Sequence, residues 1–222
     1  MRKQLNDFVL NFRNKYINYK LFGKKGAQIC PIWFNSDIQI KNIKKGDIEI
    51  QGEWTKSMII IGAKGSPFVA SRQPQAKLLF KNEGKLVFKG KCTIAEGCSI
   101  FIDGGILELG KNIYINKNVC VQCVKKITIG DGALLGWNIN LRDTDGHMIL
   151  ENNIAKESEK EIEIGNKTWI ASDCTILKGT SIANNCIIGC NSLVCGKKYS
   201  EQNVLIAGSP ARVIKQNVSW VE

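Results

Sequence analysis

Residues 162–194 read IEIGNKTWIASDCTILKGTSIANNCIIGCNSLV. From Ile164 onward an aliphatic residue returns at every sixth position: Ile170, Ile176, Ile182, Ile188 and Val194. Four places after each of the first five stands a small residue: Thr168, Cys174, Thr180, Cys186 and Ser192. The residue directly after the aliphatic one is Gly165, Ala171, Leu177, Ala183 or Gly189. A period of six fits neither a helix face, which repeats at about 3.6, nor an alternating strand, which repeats at about 2. It fits a triangular solenoid. Each hexad makes one side, its aliphatic side chain points into the prism, and the small residue near the corner leaves room for the turn. Three sides give a coil of about 18 residues, and coils stack as parallel strands about 4.8 Å apart.

Upstream the period recurs in pieces. Phe88, Ile94, Ile100 and Ile106 share one register, Leu109, Ile115, Val121 and Ile127 a second, and Ile129, Leu135 and Leu141 a third. The next step beyond Leu141 lands on His147. Residues 29–90 alternate in short β-like stretches punctuated by Gly46, Gly52, Gly62, Gly65 and Gly84. They read as earlier, less regular coils with no linker, a separate N-terminal domain being the other reading. At the start, Leu5, Phe8, Val9, Phe12, Tyr16 and Leu21 recur at helical spacing, which predicts an amphipathic helix over 1–23, ending near Gly23. Such a helix can cap the open end of the solenoid, where strand edges invite aggregation, or lie on a membrane surface. Residues 148–161, with Glu151, Glu157, Glu159 and Glu161, break the repeat and leave the prism as a loop, the kind of segment that often borders a site. The expected organisation is therefore an all-β fold. It has a short N-terminal helix, a parallel β-helix over 24–206 and a tail over 207–222. In that tail, 211–216 form a short helix after Pro210 stops strand pairing.

Composition narrows the function classes. The chain has 222 residues, 44% hydrophobic and 23% charged, the balance of a folded protein. No apolar run is long enough for a transmembrane helix, and the first residues do not read as a secretory signal. Nine cysteines, an odd number, read as reduced thiols of a cytoplasmic protein rather than a disulfide framework. Cys120 and Cys123 have a metal-like spacing but no second pair or histidine nearby, so no metal is expected. The formal charge of +11 is lopsided: residues 1–91 carry 18 Lys/Arg and 6 Asp/Glu, residues 92–222 carry 13 and 14. A basic first half suits a cofactor phosphate, an acidic sugar or a lipid headgroup, or is simply a solvated surface. Nucleic acid is not expected, because the lysines are spread along strands without stacking aromatics.

The only histidine, His147, stands where the regular repeat ends, in NINLRDTDGHMI at 138–149. Asp143 and Asp145 precede it by four and two residues, and Gly146 permits a backbone turn that other residues resist. A carboxylate on one imidazole nitrogen fixes the tautomer and supports positive charge as the other nitrogen takes a proton. One histidine per chain cannot supply the three-histidine zinc site of a β-helix hydratase.

These hexads, NINLRDTDGHMI and IAGSPARVIK at 206–215 together resemble the hexapeptide-repeat, left-handed β-helix acyltransferases. The resemblance is nearest to the maltose/galactoside-type and polysaccharide-cluster O-acetyltransferases. It is specific over residues 86–216 and faint before them. It implies a homotrimer with active sites between subunits, acetyl-CoA as co-substrate and a carbohydrate hydroxyl as acceptor, which an acidic or lipid-linked glycan would satisfy. His147 would be the general base in a direct attack on the thioester, and Asn138 would orient acceptor or oxyanion. Ala171 and Ser172 after Trp169, then Cys190 and Cys195, would line the pantetheine arm, and Arg212 and Lys215 would hold the nucleotide phosphates. Asp143 and Asp145 both compete for the role of histidine partner. An N-acyltransferase acting on a nucleotide-linked amino sugar is the alternative enzyme, and a binding scaffold the alternative class.

Overall fold

The computed structural model describes residues 2–35, 37–70 and 75–221, with the backbone alone over residues 2–7. After one helix the chain winds as a three-sided solenoid. The first face stacks nine strands, from Ile32–Phe34 to Leu205–Gly208 and Ala211–Lys215. The second stacks seven, from Gln39–Lys41 to Leu193–Val194, and the third seven, from Ile48–Ile50 to Lys198–Tyr199. Neighbours pair in parallel, save the last two strands of the first face.

The hexad residues account for this winding. On the first face Phe34, Ile61, Ile94, Ile115, Leu135, Ile170, Ile188 and Ile206 stand over one another, all buried. Leu78, Ile100, Val121, Leu141, Ile176 and Val194 form the second column. Phe88, Leu109, Ile129, Ile164, Ile182 and Tyr199 form the third. Each such side chain gains about 1.5–3 kcal/mol by leaving water, and a slip of one residue would turn a column outward.

The coils are not uniform. Ile94 pairs with Ile115 twenty-one positions on and Ile115 with Leu135 twenty, whereas Ile170, Ile188 and Ile206 are eighteen apart. The wider coils break the strict period. Ile106, expected inside, is 36% exposed, and Leu107 takes the inward place over Leu86. The turn at Gly104 and Gly105 uses one extra residue there. Asparagines turn the corners: Asn112, Asn118, Asn138, Asn185, Asn191 and Asn203 all have φ between 56° and 62°. A short polar side chain that bonds locally tolerates this left-handed region.

The N-terminal helix, α1, runs Arg2–Ile29. The end expected near Gly23 is a break rather than a terminus: Gly23 leaves helical geometry (φ 71°, ψ −156°) and the helix then resumes to Ile29. Two buried amides dock α1 on the first strand. Asn14 accepts from Phe34 N–H at 2.7 Å and donates to Phe34 C=O at 3.0 Å. Asn18 does the same for Ile32 at 3.2 and 2.8 Å. The side chains stand in for a further strand, so α1 closes this edge. Leu5 lies among the residues whose side chains are outside the description.

At the other end, 211–216 do not form the expected helix. Ala211–Lys215 is a strand antiparallel to Leu205–Gly208, and Pro210 sits in the turn between them. Adjacent β-branched Val213 and Ile214 favour that choice, and the returning strand covers the last edge. The segment expected as a loop is a hairpin arm. Thr144 bridges Glu159 at its base, and Leu150–Glu151 pairs antiparallel with Ile154–Ala155 beyond.

Candidate active site

The arm leaves the prism at the corner between the second and third faces. Leu141 points inward, Arg142 outward, and Asp143 inward again, fully buried. The Asp143 carboxylate accepts the N–H groups of Val124 and Lys125, both at 2.8 Å, from the coil below. Burial and this neighbouring charge push the Cys123 thiol up. The Asp143 carbonyl accepts Lys160 N–H at 2.9 Å, where the arm returns. Asp143 thus fastens the root of the arm to the solenoid, and its two carboxylate oxygens are held by backbone amides rather than by an imidazole.

His147 is exposed near the start of the arm. Gly146, at φ 78°, donates to Thr144 Oγ1 at 3.0 Å, and this turn presents the next residue to solvent. Asp145 pairs with Lys178 Nζ of the following coil at 2.7 Å. Farther out, Glu157 pairs with Lys125 at 3.0 Å, which holds its carboxyl below the usual range. Among the described residues no carboxylate is hydrogen-bonded to the His147 ring. Of the two candidates, Asp145 is the one on the arm itself.

Four of the residues expected to hold coenzyme A, the acetyl donor, lie at a different corner, between the first and second faces: Ala171, Ser172, Cys190 and Arg212. The residues just past the inward column there are Gly136, Ala171, Gly189 and Ala207, successive coils of one narrow floor. A Cβ on Gly189 would lie 2.8 Å from that of Ala207, so the floor is closely stacked. Ser172 and the exposed Cys190 follow along it, and Arg212 pairs opposite Ala207 at its end. Asn138 is at the same corner, in a ladder: it accepts from Asn118 Nδ2 at 3.0 Å and donates to Asp173 Oδ1 at 2.9 Å. This ladder shapes the turn and engages one of the two Nδ2 hydrogens of Asn138.

Three expected donor residues lie elsewhere. Trp169 precedes inward-pointing Ile170 and so projects from the outer surface of the first face. There its ring meets that of Trp220 at 6.2 Å, and Trp220 Nε1 donates to Lys167 C=O at 2.8 Å. Lys215 pairs opposite Leu205, at the far edge of that face from Arg212. Cys195 sits past Val194, at the corner of the histidine arm. Cys120 and Cys123 point to opposite sides of their strand, one exposed and one buried, which rules out a shared ligand set.

One feature of the first–second corner is not legible from the hexads. Residues 64–70 form an insertion laid across two coils. Asn116 Oδ1 accepts Ser66 N–H at 3.3 Å, Lys117 Nζ donates to Val69 C=O at 3.0 Å, and Asn118 Nδ2 donates to Ala70 C=O at 3.2 Å. Lys117 also pairs with Glu96 at 2.9 Å. The long spacing between Ile61 and Leu78 was its only sequence signal.

Known proteins share this fold. The bacterial transferase hexapeptide family (six repeats) matches residues 161–196. Galactoside O-acetyltransferase of Escherichia coli (strain K12) is 36% identical over 119 residues, 52% of this chain and 57% of that enzyme. The match thus spans little more than half of that relative's length. A Dictyostelium discoideum protein provisionally described as an acetyltransferase is 30% identical over 175 residues, 77% of this chain and 87% of its own. Among solved structures, the polySia-specific acetyltransferase NeuO superimposes with a TM-score of 0.54 at 23% identity, covering 86% of this chain and 79% of that one. That likeness is one of fold, the left-handed parallel β-helix.

Proposed function

Because the chain belongs to the hexapeptide-repeat acetyltransferases, we propose that it transfers an acetyl group from coenzyme A to a sugar hydroxyl of a surface polysaccharide or its precursor, with His147 as general base. The observation that carries this reading is the division of the site. His147 hangs from one corner of the second face, and the small-residue floor with Arg212 runs along the other. One chain alone keeps the two apart. Two copies side by side can bring the arm of one against the floor of the next, and a closed ring of three makes three such seams. The arm exposes Met148, Ile149, Leu150 and Ile154 at 52–70%, an apolar surface suited to a neighbouring subunit.

In this reading the floor of Gly136, Ala171, Gly189 and Ala207 admits the thin pantetheine chain, and Arg212 holds phosphate through its planar fork. Coenzyme A supplies the acetyl thioester. His147 takes the proton of the acceptor hydroxyl as its oxygen forms the new bond to the acyl carbon. When the carbon–sulfur bond breaks, the imidazolium returns that proton to the departing sulfur. Asp145, held by Lys178 of the following coil, fixes the backbone two residues before His147.

His147→Ala should lower acetyl transfer by about 10²–10⁴-fold while coenzyme A binding persists. The divided site gives a sharper test by mixing His147→Ala with Cys190→Trp, which blocks the floor from an exposed position. Neither variant should be active alone. Co-expressed, they should recover about a quarter of the wild-type rate, the fraction of seams that pair two intact halves. No recovery would overturn the divided site, and full activity of His147→Ala would overturn the base.

A further inference from the structure

A cavity of about 850 Å³ lies at the N-terminal end of the solenoid, between α1 and the first coil. Its floor is aliphatic, with Ile17, Leu21, Ile38, Ile40 and Ile43. Its rim is cationic, with Arg13, Lys20, Lys41, Lys44 and Lys45, and no acidic side chain lines it. The Arg13 guanidinium is committed to the carbonyls of Asn35 and Ile38, at 3.0 and 3.2 Å. The four lysines are exposed, and among the described residues none of them forms an ion pair.

The outer side of α1 continues this surface. Phe8, Phe12, Tyr16 and Tyr19 are 51–70% exposed, and their spacing of four, four and three puts them on one side of the helix. Tyr16 belongs both to this stripe and to the cavity, so the apolar surface runs unbroken from one into the other. The opposite side of α1 is already engaged through Asn14 and Asn18. The stripe is therefore not an unpacked inner face, and no ordering cost remains for the helix.

An apolar stripe edged by lysines on a preformed helix matches the electrostatics and polarity of an anionic lipid surface. No helix among the described residues is long and apolar enough to cross a membrane. We propose that this end of the solenoid docks on a bilayer containing anionic phospholipid, with α1 in the plane of the interface. The aromatic rings reach the acyl boundary, and Lys20, Lys41, Lys44 and Lys45 face headgroup phosphates. This surface is independent of the acetyl-transfer site.

The test is sedimentation of the full chain with vesicles of phosphatidylcholine alone or with about a third phosphatidylglycerol. Binding should require phosphatidylglycerol and weaken with salt. Each lysine near the surface contributes about five-fold in affinity, so Lys41→Gln/Lys44→Gln/Lys45→Gln should weaken binding about 100-fold. Phe8→Ser/Phe12→Ser should also release the protein, and circular dichroism should show both variants folded, since these side chains are exposed. Several results would overturn the proposal: no binding to phosphatidylglycerol vesicles, equal binding to phosphatidylcholine, or wild-type binding by either variant. Displacement by inorganic pyrophosphate at matched ionic strength would mark a soluble-phosphate site instead. A change in oligomeric state on Phe8→Ser/Phe12→Ser would mark a contact between copies.

Discussion

Replacing Asn14 or Asn18 with alanine tests whether two side chains do the work of a missing strand. Each amide makes two hydrogen bonds to a single residue of the edge strand, Asn14 to Phe34 and Asn18 to Ile32, and both asparagines are 0% exposed. Alanine leaves one N–H and one C=O of the edge unpaired in a buried setting. An orphaned buried group costs about 1–3 kcal/mol, so Asn14→Ala should lose about 2–4 kcal/mol. The gain in helix propensity, about 0.5 kcal/mol, does not offset that. The two sites share a strand and a helix turn, so their losses should not add fully. The double variant should approach the whole stability of a typical domain, about 5–15 kcal/mol, and aggregate through the uncovered edge. Hydrogen exchange reads the effect locally: a loss of about 2 kcal/mol should speed exchange of the Phe34 amide about 30-fold. Tyr19→Ala, on the outer side of the same helix, should stay within about 0.5 kcal/mol. If Asn14→Ala matches that control and the Phe34 amide stays protected, the amides do not cap the edge.

Three further outcomes follow from packing and charge. A thiol reagent at neutral pH should label the exposed Cys190 and Cys195 quickly, Cys120 more slowly because partial burial pushes its thiol up, and the six buried cysteines only on unfolding, with Cys98 pushed up to about 12 by its burial. Saturating coenzyme A should slow labelling of Cys190 but not of Cys120, and equal protection of both would contradict the proposed floor. Gly165→Ala places a Cβ 2.6 Å from the backbone of Ala183 and Asn184, which the next coil holds in place, and should cost about 1–3 kcal/mol by thermal melting. Glu108 is held below the usual carboxylate range by its bond to Lys89 and, less, to Lys126. Its contribution is present above the unfolded-state value and is lost as pH falls through the lower folded value. Glu108→Gln should therefore cost about 0.5–1 kcal/mol in urea unfolding at neutral pH and little in strong acid, and an equal cost at both would refute the pairing.

The six-residue period reveals the winding where coils are eighteen residues long, as from Ile170 to Ile206. There each side contributes one inward aliphatic residue, and period and geometry coincide. In the earlier coils a side carries two, such as Ile113 with Ile115 or Leu107 with Leu109, and the coil grows to twenty or twenty-one. Strand alternation then competes with the hexad, and a simple count by six places Ile106 inside when Leu107 belongs there. The ends are harder still, because their structure answers a need of the whole fold. Residues 211–215 pair as a strand because the edge at Leu205–Gly208 lies open beside them. Asn14 and Asn18 look like poor helix residues until the edge strand they satisfy is in view.

The same period explains what was legible in the candidate site. Positions about eighteen apart share a corner, and positions about six apart lie at neighbouring corners. Ala171 and Cys190 therefore fall on one floor, whereas Cys190 and Cys195, five apart, fall on opposite edges of the second face. A single pantetheine path that touches both corners would have to run between two copies. His147 stands out in the sequence because it is unique and flanked by acids. Only the folded chain reveals that Asp143 is bound to backbone amides and Asp145 to Lys178. A residue pattern counted along one chain has no coordinate for the gap between two chains. Cys195 and the arm of His147 share one edge, Cys190 and Arg212 the other. In the proposed function that separation is bridged at a seam between two prisms.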